Sequence, residues 1–81
     1  MNEVVLYSKP GCCLCDQVKA QIGKLARVYK FNWREQNILD DPELGERFAE
    51  KIPVVFINGE WGFEYTIDEK EFVRRLGTAA P

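Results

Sequence analysis

The sequence contains no histidine. That absence removes the commonest general base and the commonest metal ligand, and with them every Cys-His or Ser-His dyad. Cysteine is scarce as well: Cys12, Cys13 and Cys15 are the whole supply, all within four positions. An odd, clustered set is not the framework of a secreted disulfide-stapled miniprotein, which ties distant parts of its chain together. Long apolar runs are missing, since stretches such as Val54 to Ile57 fall far short of the roughly 18 residues that mark a membrane span. Basic charge is not in excess: 11 Lys+Arg face 13 Asp+Glu, a net charge of −2. Nucleic-acid affinity would rest on a basic face, so no nucleic-acid partner is expected. The opening Met1-Asn2-Glu3-Val4-Val5-Leu6 has no basic leader and no small-residue cleavage site. A cytoplasmic, monomeric protein with no membrane partner is the expectation.

What is present is ordinary for a globular protein, with 46% hydrophobic and 30% charged residues. A chain of 81 residues is enough for one domain, 1–81, and too short for two. Glu3 to Tyr7 is rich in Val, Leu and Tyr and reads as a buried strand, broken by Ser8-Lys9-Pro10-Gly11. From Cys13 to Val28 the residues Leu14, Val18, Ile22 and Leu25 recur at helical spacing, opposite Gln17, Lys19, Gln21 and Lys24. Phe31 to Ile38 alternates, with Phe31, Trp33 and Glu35 on one side, and reads as a half-buried strand. Asp41 and Pro42 mark the start of a short helix ending near Lys51, carrying Leu44 and Phe48 on one face. Val54 to Ile57 and Trp61 to Ile67 form a hairpin about Asn58-Gly59, the pair a type I′ turn prefers. Trp61 and Phe63 are placed in the core. A last helix follows, with Asp68 and Glu71 in a capping-box pattern, Phe72, Val73 and Leu76 as its apolar face, Gly77 as C-cap and Thr78 to Pro81 as a tail. The order β-α-β-α-β-β-α predicts an α/β fold: a four-stranded mixed sheet flanked by three helices.

The three thiols sit where the first strand turns into the first helix. At about 100° per residue, Cys12 and Cys15 lie about 60° apart on one face, with Cα atoms roughly 5 Å apart, a spacing that suits a disulfide. Cys13 points off that face and reads as a packing residue or bystander thiol. A helix N-terminus favours a thiolate at Cys12; Lys9 reinforces that effect and Asp16 opposes it. Cys15, one turn further in, is the resolving thiol of such a pair. A closed zinc site needs four ligands, and no histidine supplements these three cysteines. The alternatives to redox chemistry are soft-metal or iron–sulfur binding by two or three thiolates, and a non-catalytic interaction module with idle cysteines.

Tyr7-Ser8-Lys9-Pro10-Gly11-Cys12, Cys15 and Ile52-Pro53-Val54-Val55-Phe56-Ile57-Asn58-Gly59, in that element order, resemble the glutaredoxins of the thioredoxin superfamily, over about residues 3 to 77. The resemblance implies a thioredoxin-like fold and a thiol-disulfide oxidoreductase with Cys12 as nucleophile and Cys15 as resolving cysteine. It implies a cis-proline at Pro53, with the Ile52 backbone pairing with substrate, and Lys9 holding a substrate carboxylate. Tyr7 is expected to pack in the first strand, with lining the site as its second reading. No cofactor beyond the redox disulfide is implied. The substrates would be protein disulfides or low-molecular-weight thiols, with glutathione as a co-substrate. Glutaredoxins grip the γ-glutamyl end of glutathione with a Gly-Gly turn and an Asp. Here that stretch reads Gly59-Glu60-Trp61-Gly62-Phe63-Glu64-Tyr65, and the next helix-start acid is Asp68, so weak glutathione binding is expected.

Overall fold

The computed structural model describes residues 2–79, with side chains over 2–76. The elements are β1 (Glu3–Ser8), α1 (Cys13–Tyr29), β2 (Asn32–Asn37), a 3₁₀ turn (Ile38–Asp40), α2 (Pro42–Phe48), β3 (Val54–Ile57), β4 (Glu60–Glu64) and α3 (Glu69–Ala79). The sheet order is β2-β1-β3-β4. β1 runs parallel to β2, Glu3 opposite Asn32 through Ser8 opposite Asn37. β3 is antiparallel to β1, Val4 opposite Ile57 and Tyr7 opposite Val54. α1 is the crossover that a parallel pair requires. It ends at Lys30, whose left-handed φ of 53° lets its N–H reach the Ala26 carbonyl at 2.9 Å.

Strand alternation divides the apolar residues between two faces. Val4, Leu6, Val55 and Ile57 point to one, where Val18, Ile22 and Leu25 of α1 and Phe72 and Leu76 of α3 cover them. Val54 points to the other, with Ile38, Phe48 and Ile52. Phe48 and Phe72 are 1% and 0% exposed, one at the centre of each cluster. Each is a burial worth about 1.5–3 kcal/mol in transfer free energy. Cys15 belongs to the α2-side cluster although the rest of the α1 stripe belongs to the other. The first turn of α1 therefore overhangs the end of the sheet. For that reason Leu14, expected on the buried face, is 40% exposed, and Cys15 holds the buried position instead.

The return strand is shorter than the expected Trp61–Ile67: β4 stops at Glu64, and Tyr65 leaves it with φ 71°. Asn58 and Gly59 both take positive φ, as the type I′ turn demands. A register shift between Val55 and Phe56 then sets Phe63 opposite Val55 and Trp61 opposite Phe56. Gly62 is the extra residue of this bulge. Trp61 and Phe63 consequently reach different clusters, although two residues apart in a regular strand share a face. Phe63 packs on the α1/α3 side. Trp61 lies on Phe48 and Phe56 and is 36% exposed, so its expected core placement is corrected. Asp68 Oδ1 accepts the Lys70 and Glu71 N–H groups at 3.0 and 3.4 Å. The return half of the expected capping box is not made, because the Glu71 carboxylate pairs with Arg74 and Arg75. α3 runs past Gly77, the expected C-cap, to Ala79, and the end of the expected tail lies outside the described residues. No helix among the described residues is long and apolar enough to cross a membrane.

Candidate active site

β1 delivers Ser8 to the end of the sheet, and Gly11 at φ 81° turns the chain into α1. Cys12 is the N-cap of that helix rather than its first helical residue, with extended backbone angles of −93° and 109°. The helical-wheel angle expected between Cys12 and Cys15 therefore does not apply. Their pairing is made by the cap itself: the Cys15 N–H donates to Cys12 Sγ at 3.1 Å. A side chain that would be oxygen at most N-caps is sulfur here. The peptide N–H and the positive end of α1 face the atom that carries negative charge when the thiol ionises.

The three cysteines are free and lie in three environments: Cys12 half-buried, Cys13 exposed and Cys15 buried, with 2% of its surface exposed. Burial pushes the Cys15 thiol up from 9.0 to about 12. Its hydrogen bond with Cys12 and the negative charge of Cys12 and Asp16 act in the same direction, and the Lys9 peptide N–H acts against them. Cys15 is thus held protonated beside a more accessible sulfur. Cys13 points to solvent, which removes the packing role allowed for it by sequence.

Ile52 and Pro53 are buried, the peptide bond between them is cis, and Ile52 shares the cluster of Cys15, against which Cys12 and Tyr7 pack. Tyr7 also meets Phe48 and Phe56, with ring centroids 4.9 and 5.3 Å apart, so it is a packing residue on the cluster that holds Cys15. Lys9 is exposed, and among the described residues its ammonium makes no ion pair. The structure thus gathers Tyr7, Cys12, Cys15 and Ile52 around one cluster and leaves Cys13 outside it. Among the described residues no group of three or more His, Cys, Asp or Glu side chains is placed to hold a metal ion.

Sequence reasoning did not find the cleft behind Cys15. It has a volume of about 240 Å³ and is lined by Ser8, Lys9, Pro10, Cys15, Asp16, Glu35 and Asn37. The buried Ser8 hydroxyl donates to Glu35 Oε2 at 2.7 Å, and Lys19 Nζ lies 3.1 Å from Oε1. The Ser8 donor, aided by Lys19, holds the Glu35 carboxyl below its ordinary range. Only the expected alternation of β2, which sets Glu35 on one side with Phe31 and Trp33, hinted at this contact.

The model for the glutaredoxin-like domain (DUF836) matches residues 3–77. Among solved structures, the solution structure of protein Ne2328 from Nitrosomonas europaea is similar with a TM-score of 0.80 at 22% identity, covering 91% of this chain and 89% of that one. Protein XcR50 from X. campestris is 26% identical with a TM-score of 0.68, over 96% and 99% of the two chains. Thioredoxin 1 from Thermosipho africanus, at 12% identity, matches with a TM-score of 0.67 over 95% and 97%. No curated protein matches the sequence. The mixed four-stranded sheet with its three helices is a thioredoxin-like fold. With the family model spanning almost the whole chain, this protein belongs to the glutaredoxin-like domain family.

Proposed function

We propose that the protein is a thiol-disulfide oxidoreductase that uses a Cys12/Cys15 dithiol on protein disulfides or low-molecular-weight disulfides. The observation that carries this reading is the capping bond: Cys12 Sγ accepts the Cys15 N–H at 3.1 Å, with Cys12 accessible and Cys15 buried against it. The Cys12 thiolate attacks one sulfur of the substrate disulfide, forming a mixed disulfide and expelling the other sulfur as a thiolate. Cys15 gives up its proton as it attacks Cys12 Sγ, and the remaining substrate sulfur leaves as a thiolate. The two leaving thiolates take up protons in water. Two electrons pass from the dithiol to the substrate, and a Cys12–Cys15 disulfide remains for an external thiol to reduce.

Lys9 supplies a positive charge for a substrate carboxylate, and Ile52 offers its backbone to an extended substrate chain beside Pro53. Tyr7 packs from β1 on the cluster that buries Cys15, and Cys13 is a bystander. Glutathione serves as a weakly held co-substrate, and the protein works as a cytoplasmic monomer without a metal.

Serine variants test the assignment of roles. Cys15→Ser is expected to accumulate a mixed disulfide on Cys12, because nothing remains to displace it. Cys12→Ser is expected to abolish turnover, and Cys13→Ser to leave it within a few-fold of the parent. Mass spectrometry of the trapped adduct decides: adducts on Cys13 in Cys15→Ser, or lost turnover in Cys13→Ser, would overturn the assignment.

A further inference from the structure

Tyr65 is a bulky residue at φ 71°, a left-handed conformation that favours glycine. Such a residue persists where surrounding bonds over-determine it. Two do so here. The Tyr65 N–H donates to the Pro53 carbonyl at 2.8 Å, and its hydroxyl donates to the Glu50 carbonyl, also at 2.8 Å. One side chain with its own peptide therefore ties down both ends of the Glu50–Pro53 loop. Among the described residues the loop also makes a backbone bond from the Lys51 N–H to the Phe48 carbonyl at 2.9 Å. The N–H and C=O of Ile52, at the centre of the bracketed segment, take no part in these bonds. The ring itself remains 43% exposed, so the hydroxyl bond is not explained by burial of the side chain.

We infer that Tyr65 is a positioning residue: it clamps the Glu50–Pro53 loop so that the Ile52 peptide stands ready to pair with the backbone of a disulfide-bearing peptide. This inference rests on the oxidoreductase reading for its substrate and on the loop geometry for the clamp. It makes peptide-bearing disulfides, which have a backbone to pair, the favoured substrate class over disulfides that lack one, such as hydroxyethyl disulfide. A side chain that only stabilised the fold would affect both substrates alike.

Two variants separate these roles. Tyr65→Phe removes only the bond to Glu50. Tyr65→Gly removes the ring as well, relieves the left-handed backbone and keeps the N–H to Pro53. Each is assayed with a disulfide-bridged peptide and with hydroxyethyl disulfide, and amide hydrogen exchange at Lys51 is followed in the free protein. Tyr65→Phe is expected to raise KM for the peptide about fivefold, the counterpart of one net hydrogen bond. Its kcat, and its rate with hydroxyethyl disulfide, should hold, while exchange at Lys51, whose N–H is bonded to the Phe48 carbonyl, quickens. Tyr65→Gly should show the same KM change whether its melting temperature rises or falls. Equal effects on the two substrates, or an unchanged peptide KM, would overturn the inference. If the parent protein reduces neither substrate, the oxidoreductase reading fails on its own, and the exchange measurement still judges the clamp: unchanged exchange at Lys51 in Tyr65→Phe would overturn it.

Discussion

Ser8 and Glu35 are 27 positions apart and meet through a hydrogen bond that ties the start of the cysteine-bearing loop to the edge strand. Glu35 is about a third exposed, so water screens its charge, and the bond to a buried hydroxyl outweighs the ion pair with Lys19. Ser8→Ala is expected to cost about 1 kcal/mol at pH 7, the usual worth of one such bond. The sign of its pH dependence follows from the lowered Glu35 carboxyl. Stability from this pair is fully present above the ordinary carboxyl value of 4.5 and is lost as pH falls through the folded-state value. The gap between Ser8→Ala and the parent in urea denaturation should therefore be full at pH 7 and shrink at pH 3. An equal gap at both pH values would show that Ser8 acts by packing alone. At this scale the placement of Cys12 and Cys15 at the start of α1 was legible because their position after Pro10-Gly11 is a local property. The Ser8–Glu35 bond and the Tyr65 bracket were not, since each joins residues that only the folded sheet brings together.

Elements with local signals came out as read: the Asn58-Gly59 turn, and the α2 start where Asp41 Oδ1 accepts the Glu43 N–H at 2.9 Å. The return strand did not, because its pattern hides an extra residue. Reading Trp61 and Phe63 as one face assumes a regular strand, and the bulge breaks that assumption at Gly62. A Cβ at Gly62 would lie 3.0 Å from the Val55 carbonyl oxygen and 3.3 Å from the Ile57 side chain. Gly62→Ala is therefore expected to destabilise the protein by about 1–3 kcal/mol through overpacking at the bulge. Urea denaturation measures the loss, and a variant as stable as the parent would mean that β4 shifts away freely. Leu14 failed for a related reason. Helical periodicity counts positions correctly but does not show where the sheet beneath the helix ends.

At the scale of the whole molecule, a small chain builds two apolar clusters on the two faces of one sheet and sets its thiols where α1 overhangs the sheet's end. Cys15 is buried by the α2-side cluster, and that burial separates a protonated sulfur from an accessible one. The β-α-β-α-β-β-α order and the sheet class were readable from periodicity and punctuation. The division of labour between the faces was not, because it depends on which side of the sheet each helix covers. The most direct measurement is a redox titration of the intact protein in dithiothreitol buffers of graded potential, with peptide mapping of the bridge at each step. The expected result is one reversible two-electron transition between free thiols and an intramolecular Cys12–Cys15 disulfide, with Cys13 free throughout. A bridge that includes Cys13, a disulfide between two chains, or no transition at any potential would contradict it.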